Sequence, residues 1–90
     1  MTLALPQGDG RYEERHRGFR VRVRAIHVRG RQGEWWEWEA MRRGFVRSGA
    51  GLPPGMHLMY DSADMRGTFA EALRLAREAA ERMARKAGWA

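Results

Sequence analysis

Phe19-Arg20-Val21-Arg22-Val23-Arg24-Ala25 alternates apolar and charged residues at a period of two, the pattern of a strand with one buried and one wet face. Ile26-His27-Val28 extends it with β-branched residues, and the Gly-bounded Gly30-Arg31-Gln32-Gly33 predicts a turn. The hairpin closes on a second strand, Trp35-Trp36-Glu37-Trp38-Glu39-Ala40-Met41, aromatic-rich and again alternating. Arg43-Gly44 predicts a bend, with Phe45-Val46 continuing the strand beyond it. Residues 48–55, rich in Gly and Pro, predict an irregular loop, and Met56-His57-Leu58-Met59-Tyr60 a third strand. Residues 1–17 are polar, end in the mixed-charge run Arg11-Tyr12-Glu13-Glu14-Arg15-His16-Arg17 and show no useful periodicity, which predicts a flexible arm.

The last element is a helix. Thr68-Phe69-Ala70-Glu71 fits a capping box, in which the Thr hydroxyl takes one free helix N–H and the Glu reaches back for another. Phe69, Ala72, Leu73, Ala76, Ala80, Met83 and Ala87 then fall on one stripe. The other side pairs Arg74 with Glu78, Arg77 with Glu81, Glu78 with Arg82 and Glu81 with Arg85 at i,i+4. Gly88 suits the left-handed residue that ends a helix, and Trp89 follows as an edge cap. The fold class this predicts is α+β: a three-stranded antiparallel meander, β-β-β-α, packed on one C-terminal amphipathic helix. Residues 1–17 form the arm and residues 18–90 a single domain.

Register decides what each face carries. If Gly30–Gly33 is the whole turn, Val23 faces Ala40, Ala25 faces Trp38 and His27 faces Trp36 on the side under the helix. On the other side Arg24 meets Glu39, Ile26 meets Glu37, Val28 meets Trp35, Arg22 meets Met41 and Arg20 meets Arg43. One helix cannot cover both faces of a sheet, so this second face is solvated or covered by a partner. It offers Ile26, Val28, Trp35 and Met41 as an apolar patch, the sort of surface that marks a protein interface or a self-association site. It also offers Arg20, Arg22, Arg24 and Arg43 as contacts to nucleic-acid phosphates. A third reading is a plain solvent face on which Arg and Glu ladders neutralise each other. Glu34, Glu37 and Glu39 weigh against phosphate binding. Trp36 and Trp38 share the core side, which argues against a stacking platform for single-stranded bases.

Length and composition narrow the chemistry. Ninety residues make one small domain with one modest core. The absence of Cys removes disulfides, thiol catalysis and Cys-based zinc sites. No apolar run reaches the roughly 20 residues of a membrane span, and no signal-peptide pattern opens the chain, so a cytoplasmic location is expected. The net charge of +6 is concentrated in residues 1–33, which hold eight Arg against three acids. Sixteen of the 17 basic residues are Arg, which suits bidentate phosphate binding but is first of all the mark of GC-rich codons. His16, His27 and His57 lack the spacing of a metal site, Ser48 and Ser62 lack a nucleophile elbow, and no phosphate loop leads into the helix. The expectation is a protein that is not an enzyme and uses no cofactor or metal.

Thr68-Phe69-Ala70-Glu71-Ala72-Leu73 resembles the T-x-x-E-A-L helix start of HicB-like antitoxin domains. That resemblance implies a β-β-β-α core and a cytoplasmic dimer that covers a small toxin. The acidic proline-glycine-cysteine strand motif of those domains has no counterpart here. Phe19-Arg20-Val21-Arg22-Val23 with the same helix start also resembles the arm-site DNA-binding domain of tyrosine recombinases, although the second strand is acidic where theirs is basic. Over most of its length the chain is similar to small uncharacterised bacterial β-β-β-α proteins. Together these readings predict a binding module whose partner is a protein or a second copy of itself. Nucleic acid is the alternative partner and a membrane is not expected.

Overall fold

In the computed structural model, which describes residues 10–89, four antiparallel strands follow one another across a single sheet. They are β1 (Arg11–His16), β2 (Phe19–Ile26), β3 (Trp35–Val46) and β4 (Gly55–Arg66), in the order β1-β2-β3-β4, and α1 (Phe69–Ala87) crosses one face. The α+β meander and the C-terminal helix agree with the sequence pattern, but there are four strands rather than three. The extra strand, β1, falls in the stretch read as a flexible arm, and the rest of that arm, residues 1–9, lies outside the described residues.

β1 escapes hydrophobic periodicity because its helix-facing positions are Tyr12, Glu14 and His16. Their polar tips are bonded to neighbours rather than buried in oil. Tyr12 donates to Glu14 at 2.7 Å and sets its ring edge-on to Phe69, with centroids 5.2 Å apart. Glu14 accepts two hydrogen bonds from Arg77, at 2.6 and 2.7 Å, and His16 shares a 2.7 Å hydrogen bond with Glu81. The β1–β2 turn is Arg17-Gly18, with φ of 53° and 74°. Positive φ at both central residues is the hairpin turn that follows the native strand twist. The helix charges are therefore spent differently from the expected i,i+4 ladder: Arg74–Glu78 forms at 2.9 Å, while Arg77, Glu81 and Arg82 reach Glu14, His16 and Asp61 on the sheet.

The expected β2–β3 turn is too short. β2 stops at Ile26 and residues 27–34 form the connection, held by an Arg31 N–H bond to the Val28 carbonyl and by positive φ at Gly30 and Gly33. The pairs are Val21–Ala40, Val23–Trp38 and Ala25–Trp36, two residues displaced from the register that a Gly30–Gly33 turn gives. A slip of two leaves every side chain on its expected face. His27, expected under the helix, is exposed in the loop. β3 runs without a break through Arg43-Gly44, and β4 continues past Tyr60 to Arg66.

Phe19, Val21, Val23, Trp38 and Ala40 pack beneath Phe69, Ala72, Leu73, Ala76 and Ala80. The alanines let the helix approach the sheet closely. Thr68 accepts from the Glu71 N–H and donates to the Glu71 carboxylate, both at 3.1 Å, so the box closes through the hydroxyl rather than through the Thr68 N–H. At the other end Gly88, at φ 74°, donates to Arg85 and Trp89 donates to Ala84 at 2.8 Å, the paired bonds of a Schellman cap. Trp89 then folds back over β3. Its indole N–H donates to the Phe45 carbonyl at 2.9 Å, its ring meets Phe19, and Arg42 stacks 4.5 Å above it.

Candidate functional site

The face away from the helix is built from the even residues of β2 and β4 and the odd residues of β1 and β3. It divides into two halves of different chemistry. Where all four strands overlap, the rows are Arg11–Arg24–Glu37–Asp64, Glu13–Arg22–Glu39–Ser62 and Arg15–Arg20–Met41–Tyr60. Arg24 bonds Glu37 at 2.7 Å, Arg22 bonds Glu13 at 3.0 Å and Glu39 at 3.1 Å, and Arg20 lies 3.5 Å from Glu13. Those carboxylates hold the Arg22 and Arg24 guanidiniums still further above their ordinary range. A concavity in this half is lined by three Arg and three Glu, with Tyr12 and Val23. It carries no net charge to select an anion.

The β3–β4 hairpin outruns β2, which pairs with β3 only as far as Met41. On this overhang the open face presents Arg43–Leu58 and Phe45–Met56, and Met41–Tyr60 borders it in the last row that β2 reaches. Phe45 is 60% exposed, Met56 63%, Leu58 53% and Tyr60 52%. The underside of the same overhang is filled by Trp89 and Arg42, so the helix supports the hairpin from behind and leaves its front bare. Tyr60 donates to Glu39 at 3.1 Å, joining the apolar half to the ion-pair half.

The sequence-derived contacts are split between these halves. Ile26 and Trp35 face each other at the opposite end of the sheet, beside Arg66. Trp35 is occupied by its own loop, since its N–H donates to the Gln32 carbonyl and Arg31 stacks 5.1 Å from its ring. Val28 leaves the sheet for the loop, so it does not oppose Trp35. Met41 alone of that group borders the apolar overhang. Arg20, Arg22 and Arg24 are all engaged with glutamates: the longer loop moves Glu39 opposite Arg22 and Glu37 opposite Arg24, and β1 brings Glu13 beside Arg20 and Arg22. Arg43 stands opposite Leu58 at the border of the apolar half. Sequence reasoning missed Phe45, Met56, Leu58 and Tyr60. Alternation in residues 56–60 carried the signal, but only the β3–β4 register puts them beside Phe45.

Among the described residues no three His, Asp or Glu converge as a metal site, and no helix is long and apolar enough to cross a membrane. Compared with protein-family models, with curated proteins and with solved structures, the chain matches none.

Proposed function

We propose that this chain is a non-enzymatic protein-binding module that docks through the apolar overhang of the open sheet face. One observation carries the reading: Phe45, Met56, Leu58 and Tyr60, each more than half exposed, lie together on one face of a hairpin supported from behind. Contiguous apolar surface of this kind on a small protein usually serves an interface. Its make-up of aromatic and Met side chains rimmed by Arg43 is that of interface cores. Nucleic acid is the weaker alternative. Phosphate binding draws its affinity from cations whose counterions are released, and Arg20, Arg22 and Arg24 already hold Glu13, Glu37 and Glu39.

The test is a titration of the chain against duplex DNA, duplex RNA and single strands across a salt series, with solution mass measured in parallel. The proposal expects weak, sequence-indifferent nucleic-acid binding and a protein association that Leu58→Lys abolishes while Arg22→Ala leaves it intact. Tight binding to one nucleic acid that falls steeply with salt and drops on replacing Arg20 and Arg22 would overturn it.

A further inference from the structure

The two edges of the sheet are built differently. A hydrogen bond from Ala25 N–H to the Gly10 carbonyl fixes the even residues of β1 as those bonded to β2. Strand alternation then points the backbone groups of Arg11, Glu13 and Arg15 outward. That edge is short and lined with charges, which is how sheet proteins discourage edge-to-edge pairing. At the other edge, the Gly67 N–H bond to the Glu34 carbonyl fixes the odd residues of β4 as those bonded to β3. The N–H and C=O groups of Met56, Leu58, Tyr60, Ser62 and Asp64 therefore point away from the sheet. Among the described residues, no strand pairs with this edge. It runs the twelve residues of β4 and carries three of the exposed apolar side chains. One outward group has a local partner: the Ser62 N–H donates to the Asp61 carboxylate at 2.9 Å.

Resting on the docking surface proposed above, we infer that its occupant is a second copy of this chain, with the two β4 edges paired antiparallel about a twofold axis at Met59. Self-complementarity argues for a copy over an unrelated strand. With Met59 opposite Met59 of the copy, Leu58 faces Tyr60 and Tyr60 faces Leu58 on the open face. On the helix side His57 faces Asp61 and Asp61 faces His57, setting an imidazole opposite a carboxylate twice. Met56 faces Ser62, so the Ser62 N–H exchanges the Asp61 carboxylate for the Met56 carbonyl of the copy, which frees Asp61 Oδ1 for His57 while Oδ2 stays 3.6 Å from Arg82. His57 binds the Pro53 carbonyl through Nε2 at 2.7 Å, which leaves Nδ1 for that contact.

Neighbouring registers lose these matches. Sliding one way opposes Asp61 first to Met59 and then to Asp61 itself. Sliding the other way opposes Asp61 to Gly55 and moves Pro54, which has no N–H to give, inward from Asp64 at the end of the ladder to Ser62. The register about Met59 joins the two sheets into one and makes the two overhangs a continuous apolar strip.

The chain has no Cys, so a single introduced thiol reports the register. Across a non-hydrogen-bonded antiparallel pair the Cα atoms stand about 4.5 Å apart, within the roughly 4.4–6.8 Å that a disulfide spans. Met59→Cys is expected to give a disulfide-linked band at twice the chain mass under mild oxidation. Ala63→Cys is expected to stay monomeric on the same gel, because the two copies of that position would lie about 27 Å apart at about 3.4 Å per residue. Sedimentation equilibrium of the unmodified chain is expected to rise with concentration from 10.4 kDa to double that value. A dimer in solution that Met59→Cys does not cross-link, or that Ala63→Cys cross-links equally, would overturn the edge pairing. A monomer at every concentration would overturn the second copy as occupant while leaving the docking surface open to another protein. A dimer that Leu58→Lys leaves intact would overturn the docking surface itself, an outcome distinct from a dimer that Leu58→Lys dissociates but Met59→Cys does not cross-link.

Discussion

Glu14 sits on the helix-facing side of a strand without a single aliphatic residue, and its carboxylate does what apolar packing does elsewhere. Arg77 holds it by two bonds, and that pairing keeps the Glu14 carboxyl below its ordinary range, with the Tyr12 hydroxyl bond helping and burial opposing. A carboxyl whose pKa is lower in the folded chain contributes stability above its unfolded value, and the contribution is lost as pH falls through the folded value. The resistance of the wild type to urea is thus expected to fall as pH drops below the ordinary carboxylate range. In Arg77→Met this part of the slope disappears, together with about 1–2 kcal/mol of stability at neutral pH. An unchanged acid slope in the variant would remove Glu14–Arg77 as the β1 anchor. Gly44 illustrates a steric demand of the same weight. Its φ is unexceptional, but a Cβ there would stand 2.7 Å from the Trp89 ring. Gly44→Ala should displace Trp89, lower the melting temperature by an amount equivalent to about 1–3 kcal/mol and shift the tryptophan emission. An unaltered emission spectrum would mean that the ring does not pack there.

Among the elements, α1, β2 and the start of β3 were legible in the sequence because their apolar positions repeat at the right period and their caps are chemically explicit. The Thr68 cap and the Gly88 terminus fall where the residues place them. Thr68→Ala is expected to cost about 1 kcal/mol in chemical unfolding; no loss would leave the helix start to its packing alone. β1 was illegible because Tyr12, Glu14 and His16 bury through polar tips, and because its turn uses Arg17 where Asn or Asp is the usual sign. The tail of β4 was illegible because Asp61, Ser62 and Asp64 have low strand propensity, and pairing with β3 overrides that preference. The β2–β3 loop was underestimated because Gly30 and Gly33 look like the ends of a turn but sit inside a longer one. Faces nevertheless survived the error, since a slip of two residues preserves parity, so the ion-pair half of the open face could be read in outline. The apolar half could not be read, because it depends on the part of the β3–β4 pairing that runs beyond β2. Gly18, at φ 74° in the β1–β2 turn, offers a check at this scale. Gly18→Ala should destabilise by about 1–2 kcal/mol and speed amide exchange in β1 before the rest of the sheet. Uniform loss across all strands would mean that β1 is not a separable element.

Over the whole molecule, the charge of +6 suggests a nucleic-acid footprint. The open face, however, pairs Arg20, Arg22 and Arg24 with glutamates and leaves its apolar end bare. Function on this account follows from asymmetry between edges: a charged short edge at β1 and an apolar long edge at β4. Backbone amide exchange of the unmodified chain, read residue by residue at low and high protein concentration, tests that claim most directly. The amides of Met56, Leu58 and Tyr60, which point away from β3, are expected to exchange fast at low concentration and to gain protection as concentration rises, while Glu13 and Arg15 stay fast throughout. Equal and unchanging exchange at both edges, or protection that appears at β1 instead, would contradict it.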